Sequence, residues 1–213
     1  MRIINCEQGS DAWKRYRAGK VSASGIADVM ATIKSGEAAS RANYRAQLVC
    51  ETLTGEPHED GFQSPEMLRG IQLEPEARAA YSLATLQDVK QVGLVVHPAN
   101  NRIVASPDGL VEPNGLVEFK CPMTKTHIKY IQLGTVPSEY KYQMMGQILC
   151  CERGWCDFCS YDPRMPHEYQ LFIIRFRPDP KEMIMMEAAI MAFLGEVDET
   201  IENLKQRPVF IGI

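Results

Sequence analysis

The amino-acid sequence predicts an α/β (α+β) fold, a central mixed β-sheet flanked by helices, in one domain spanning 1–213. Three observations predict it. The first third carries helix caps and helical periodicity. The middle, between Val89 and Lys120, switches to short β-branched runs cut by Pro, Asn and Gly. The last third alternates helix, two strands and a long helix. A chain of 213 residues, with neither internal repeat nor Pro/Gly/Ser-rich linker, fits the size of one compact domain with a sizeable core.

Taken in order, Ser10 and Ser22 read as N-caps of short helices, and Ser40 as the cap of a longer one running through Leu48 and Leu53 to a Gly55 stop. Residues 56–63 carry turn and charged residues without periodicity and read as a loop. Ser64 and Pro65 open another helix, serine as cap and proline at the first helical position, with Met67, Ile71, Leu73 and Tyr81 along it. Pro75 should kink or interrupt that helix. Val89–Val96, Arg102–Ala105 and Leu116–Lys120 form an antiparallel meander, punctuated by 98–101 and by Pro113-Asn114-Gly115. A helix from Glu139 to Cys151, strands at 155–161 and 169–177, and a helix from Pro180 to Leu204 complete the chain.

Composition bounds the function classes. Hydrophobic residues make up 45% and charged residues 23%, the balance of an ordinary globular protein. No apolar run approaches the roughly 20 residues that cross a bilayer, and the N-terminus lacks the pattern of a secretory signal, so a cytoplasmic location without membrane association is expected. Seven cysteines, an odd and scattered number, argue against a disulfide framework. Cys150, Cys151, Cys156 and Cys159 could be read as a zinc or iron–sulfur site. Against that, Cys156 and Cys159 fall three apart on a predicted strand and point to opposite faces. The net charge of −4 does not advertise a nucleic-acid binder, although a local basic patch could still bind phosphate.

The chemistry concentrates on Asp108, Glu118 and Lys120. Ser106-Pro107-Asp108-Gly109 ends one predicted strand, and the next presents Glu118-Phe119-Lys120. Period-two alternation puts Glu118 and Lys120 on one face and turns Phe119 towards the core. Phosphodiester hydrolysis needs a hard cation to neutralise the developing charge and to acidify a water. Asp108 and Glu118 suit that cation, the Phe119 carbonyl is a natural third protein ligand, and Lys120 supplies a point charge to steady a phosphate oxygen or the attacking group. A lone E-x-K on a strand is more often a solvated face; the preceding Ser-Pro-Asp-Gly and the tight turn give this one its weight.

The stretch Ala105–Leu110 through Leu116–Pro122 resembles the active-site hairpin of the PD-(D/E)XK nuclease superfamily, in particular its bacteriophage lambda exonuclease (YqaJ-like) branch. The N-terminal residues Glu7–Trp13, Arg17, Gly19 and Ser22–Ser24 are similar to that family's first helices. Gly70, Gln72, Glu74, Ala77 and Arg78 resemble its acidic helix, and Tyr161–Met165 its late strand and turn.

The resemblance implies a 5′→3′ exodeoxyribonuclease that digests one strand of linear duplex DNA from 5′-phosphorylated ends to mononucleotides. It implies two Mg²⁺ ions, with Mn²⁺ as a substitute, a ring-shaped homotrimer, and a single-strand annealing recombinase as partner in recombination. Glu74 matches the acid that assists the metal site; Arg17, Ser24, Ser106 and Gln143 match the 5′-phosphate pocket. DNA contacts fall at Lys34, where the family has an arginine, at the apolar pair Met67 and Leu68, and at Tyr140. At Met67, Leu68 and Tyr140 ordinary packing is the competing reading. Two rival functions stay open: an endonuclease of the same superfamily, and a catalytically silent DNA-binding subunit.

Overall fold

A computed structural model describes residues 1–58 and 64–207; the expected loop at 56–63 therefore lies partly outside the described residues. The chain begins with β1 (Arg2–Ile4), α1 (Asp11–Arg17), β2 (Val21–Ser22), a 3₁₀ turn over Ala23–Gly25, α2 (Ile26–Val29) and α3 (Ala39–Thr54). It continues with α4 (Pro65–Thr85), β3 (Val89–Lys90), β4 (Leu94–Val96), β5 (Ile103–Ala105), β6 (Gly109–Val111) and β7 (Gly115–Lys120). The last part holds α5 (Thr124–Leu133), α6 (Ser138–Cys151), β8 (Trp155–Tyr161), β9 (Leu171–Phe176) and α7 (Pro180–Gln206).

The predicted α/β class is observed, but the strands form two mixed sheets rather than one. Among the described residues, β1-β4-β5-β2 make one and β3-β6-β7-β8-β9 the other. The meander is corrected accordingly. The run Val89–Val96 divides into β3 and β4, which join different sheets. β5 pairs with β4 and β2, so it is not the neighbour of β7. The partner of β7 across the Pro113 turn is β6, a three-residue strand that the sequence does not resolve as an element of its own, Asp108 and Gly109 reading as the end of the preceding strand. Such short pieces carry too few residues for alternation to be visible, and Gly109 opens the last of them.

Helix starts show where local chemistry prevails and where it yields. The Ser10 hydroxyl accepts from Trp13 N at 3.3 Å and Ser64 from Met67 N at 3.2 Å, as their residue types predict. Ser22 caps only the 3₁₀ turn and makes no side-chain cap bond there. Ser40 lies inside α3, whose N-cap is Ala38. Gly55 ends α3 in the left-handed conformation, as expected. Pro75 sits within an uninterrupted α4. The carbonyl it leaves without an amide partner belongs to the exposed Ile71, where water can replace the lost bond. Thr124–Leu133, for which the sequence predicts no element, forms α5.

β7 is the centre of the second sheet, antiparallel to β6 and parallel to β8, and only Lys120 at its end is incompletely buried. Its two faces enter different cores. Leu116 joins a large cluster with Leu110, Met144, Ile148, Phe158 and Phe193. Val117 and Phe119 join a second cluster with Ala77, Tyr81, Trp155 and Tyr161, where Phe119 meets the Tyr81 ring edge-on at 5.8 Å. Phe119 therefore points into the core, as alternation predicts. Cys156 belongs to the first cluster and Cys159 to the second, on opposite faces of β8, so the cysteine run does not converge on one ion.

Phe158 connects this frame to the site. It is fully buried on β8, stacked against Tyr140 at 5.5 Å and edge-on to Tyr130 at 5.5 Å. Phe158→Ala is expected to cost about 3–5 kcal/mol through the cavity it leaves. Denaturant unfolding followed by circular dichroism checks this; a loss below about 1 kcal/mol would mean that the aromatic group is not the packing centre described.

Candidate active site

Glu118 is 1% exposed, and a carboxylate at that depth is tolerated only with a full set of donors. It has them. Oε1 accepts from Lys120 Nζ and from Gln143 Nε2 at 2.6 Å, and Oε2 accepts from Gln147 Nε2 at 2.6 Å. Gln143 and Gln147 stand one turn apart on α6, so both amides face β7 together. α6 can lie this close to the Ala23–Gly25 turn because residue 146 is glycine; a Cβ there would come within 2.3 Å of Ile26 Cδ1.

Asp108 lies in the link between β5 and β6. Its Oδ2 accepts from Phe119 N at 2.7 Å, which draws the carboxylate to the strand that carries Glu118. Burial first, and then the neighbouring Glu118, raise its pKa well above the usual carboxylate range, with Lys120 opposing. Burial disfavours the Lys120 ammonium, yet Glu118 and Asp108 outweigh it and hold this lysine above the ordinary range, hence charged. The ammonium also lies 4.9 Å from the Tyr140 ring centre.

A cavity of about 180 Å³ opens onto these groups, and the predicted phosphate-binding residues line it as well: Arg17, Ser24, Ser106 and Gln143 share it with Asp108, Glu118 and Lys120. Arg17 lies over the Trp13 ring at 4.0 Å and donates to Ser24 Oγ at 3.3 Å. Trp13 Nε1 donates to Ser106 Oγ at 2.8 Å. Gln8 Nε2 binds the carbonyls of Val92 and Pro107, both at 3.0 Å, and so fixes the segment that carries Ser106 and Asp108. Ser106 reaches the cavity from that same link, outside any strand.

Other expected positions stand apart. Glu74 does not line the cavity: it is on α4, against the Phe119 face of β7, and binds Arg78 at 2.5 Å. Burial raises its pKa, Arg78 counters, and Glu118 adds a further upward push, so the carboxyls sense one another without meeting. Tyr140 contacts Lys120 but is mainly packed between Phe158 and Tyr130. Lys34 is exposed in a bend away from the cavity. Met67 and Leu68 are 57% and 45% exposed, so helix packing within this chain does not account for them. Sequence reasoning gives no role to Gln147, and takes Gln8, Trp13 and Ser22 only as residues of the first helices, with no part in the cavity. The four-residue spacings Trp13–Arg17 and Gln143–Gln147 were the available signals.

With this geometry in view, residues 12–153 match the YqaJ-like viral recombinase domain. The chain belongs to that family. An alkaline exonuclease from Laribacter hongkongensis, LHK-Exo, is similar over 92% of this chain and 97% of its own, with 45% identity and a TM-score of 0.85. The same enzyme in complex with dAMP matches equally well. A phage-related exonuclease from Haemophilus somnus, at 15% identity and a TM-score of 0.64, covers 87% of this chain and 96% of its own and shares the fold. No curated protein matches.

The anionic donors in the YqaJ-like cavity are oxygen alone, the carboxylates of Asp108 and Glu118, with the Lys120 ammonium beside them. That set suits a small hard divalent cation and not a soft one. Among the described residues, no three or more His, Cys, Asp or Glu side chains are grouped to enclose a metal; such an ion would complete its shell with a backbone carbonyl, water and substrate.

Because the folded-state pKa of Asp108 is raised, its ionised form subtracts stability above the usual carboxylate range, and the deficit vanishes as pH falls below that range. Without divalent cations, Asp108→Asn is therefore expected to raise the melting temperature at pH 8, by about 2–4 °C per kcal/mol relieved, and to leave it unchanged near pH 3. A melting temperature lowered at pH 8 would contradict the burial and like-charge argument.

Proposed function

We propose that this YqaJ-like protein is a magnesium-dependent 5′→3′ exodeoxyribonuclease that digests one strand of linear double-stranded DNA from 5′-phosphorylated ends to mononucleotides. The observation that carries this reading is the shared cavity. A carboxylate–carboxylate–lysine centre and an arginine–serine clamp suited to phosphate oxygens open onto the same 180 Å³ space. LHK-Exo, at 45% identity, is an alkaline exonuclease and has been seen with dAMP, a nucleoside monophosphate.

Asp108 and Glu118, with the Phe119 carbonyl, would hold the Mg²⁺, two ions with Mn²⁺ as a substitute. The cation supplies charge neutralisation at the scissile phosphate and a more acidic water. Lys120, held charged by its acidic neighbours, places a point charge beside the phosphate. Gln143 donates to Glu118 and lines the clamp, so it sets the spacing between the terminal phosphate and the reacting bond. Arg17 can present its fork to the terminal phosphate because Trp13 stacks beneath it. Family membership further supports a ring-shaped homotrimer around DNA and action with a single-strand annealing recombinase. It also supports an assisting role for Glu74 and DNA contacts at Lys34, Met67, Leu68 and Tyr140.

Two duplexes differing only in the 5′ phosphate, with closed circular DNA as control, test this reading in Mg²⁺ and in EDTA. Rapid digestion of the phosphorylated linear duplex alone, lost in EDTA, is expected. Arg17→Ala should reduce the phosphate preference by a factor equivalent to about 1.5–3 kcal/mol, with a smaller effect on hydroxyl ends. Cleavage of the circle would restore the endonuclease reading, and absence of hydrolysis on every substrate the silent DNA-binding reading.

Light scattering at micromolar concentration is expected to give three times the 24.0 kDa chain mass. A monomer would remove the ring while leaving the chemistry untouched.

A further inference from the structure

We infer that Glu51 is a positioning residue for the phosphate clamp, one whose buried carboxylate fixes the turn that aims Arg17; the inference rests on the reading of Arg17 given under Proposed function. Arg17 is the last residue of α1, and the chain then reverses through Ala18 and Gly19, closed by Lys20 N donating to Arg17 O at 3.0 Å. Gly19 adopts φ +68, and a Cβ there would lie 2.7 Å from Thr52 Oγ1, whose hydroxyl is committed to the Leu48 carbonyl at 2.6 Å. The turn therefore rests directly on α3.

Glu51, on α3, is 6% exposed. Its Oε2 accepts from Gly19 N at 2.7 Å, while Oε1 accepts from Gln47 Nε2 at 2.9 Å and from His58 N at 3.0 Å. Among the described residues these three bonds to Glu51 all come from amide N–H groups. Its charge acts on Arg17 through space. Burial works against the Arg17 guanidinium, and Tyr44 and Glu51 both offset that effect. Two turns earlier on the same face of α3, the Tyr44 hydroxyl accepts from Ser22 N at 3.0 Å and so fixes the segment that ends in Ser24. One stripe of α3 thus holds two segments of the clamp, Tyr44 the one that carries Ser24 and Glu51 the turn that follows Arg17.

The test is a double-mutant cycle on the 5′-phosphate and 5′-hydroxyl duplexes in Mg²⁺, using wild type, Glu51→Gln, Arg17→Ala and the pair. Glu51→Gln is expected to lower the ratio of phosphate-end to hydroxyl-end rates roughly three- to tenfold, as loss of a charge-assisted contact would. In the Arg17→Ala background it should lower that ratio no further. An equal loss on both ends, or an effect that adds in full to that of Arg17→Ala, would overturn the positioning role while leaving the clamp standing. Equal wild-type rates on the two ends would overturn the clamp itself, and this role with it. Should Glu51→Gln fail to fold, Gly19→Ala displaces the same turn with the carboxylate intact; it should reduce the same ratio, and an unchanged ratio would overturn the inference.

Discussion

The Glu118 carboxylate is the constraint on which the rest of the site is built. A carboxylate at 1% exposure carries a desolvation cost of several kcal/mol, and only a complete donor set makes it tolerable. Those donors come from two elements: Lys120 from its own strand, Gln143 and Gln147 from α6. α6 must therefore lie over β7 at one rotation and one height. Shifting it by a single residue would turn both amides away and strand the charge. The large core around Leu116, Met144 and Phe158 packs the same pair of elements, so apolar burial and polar satisfaction specify one arrangement.

The position of the cavity follows from the division into two sheets. The chain leaves β5 in the first sheet and enters β6 in the second through 106–108, and that crossing supplies both Ser106 and Asp108. A link between sheets is free of ladder bonds. Its side chains can be aimed by individual contacts, here Trp13 on Ser106, Gln8 on the Pro107 carbonyl and the Phe119 amide on Asp108. The Ser106 side of the cavity and the acidic centre are consequently neighbours through the backbone, and on the proposed reading a terminal phosphate held in one would lie at a fixed distance from the other.

What could be read in the sequence divides along a physical line. The long helices, β8 and the polarity of β7 were legible, because each is fixed by periodicity over six or more residues. Asp108, Glu118 and Lys120, with Arg17, Ser24, Ser106 and Gln143, line one cavity in the structure. The meander was not legible, since β3, β4, β5 and β6 are two or three residues each and their sheet is decided by distant partners. Ser40 has the right type for a cap, but the helix begins at Ala39 and encloses it. Gln147 and Glu51 were illegible for a related reason: a polar residue on a helix reads as a solvated face until the element it faces is known.

The separation of Glu74 from the cavity shows how the acidic charges are kept apart. Three carboxyls within electrostatic reach of one another would repel strongly in a dry interior, and Asp108 already has a raised pKa beside Glu118. β7 stands between α4 and α6, so Glu74 approaches from the Phe119 face, where Arg78 engages it. The third acid therefore adds field without adding a third carboxylate to the cavity. On the opposite side Arg17 is supported in the complementary way, with the anionic Glu51 behind it and the cavity in front. On the proposed reading, a net charge of −4 is no obstacle to phosphate binding, because a terminal phosphate would meet the local set of Arg17 and the two serine hydroxyls, with Lys120 beside the two carboxylates.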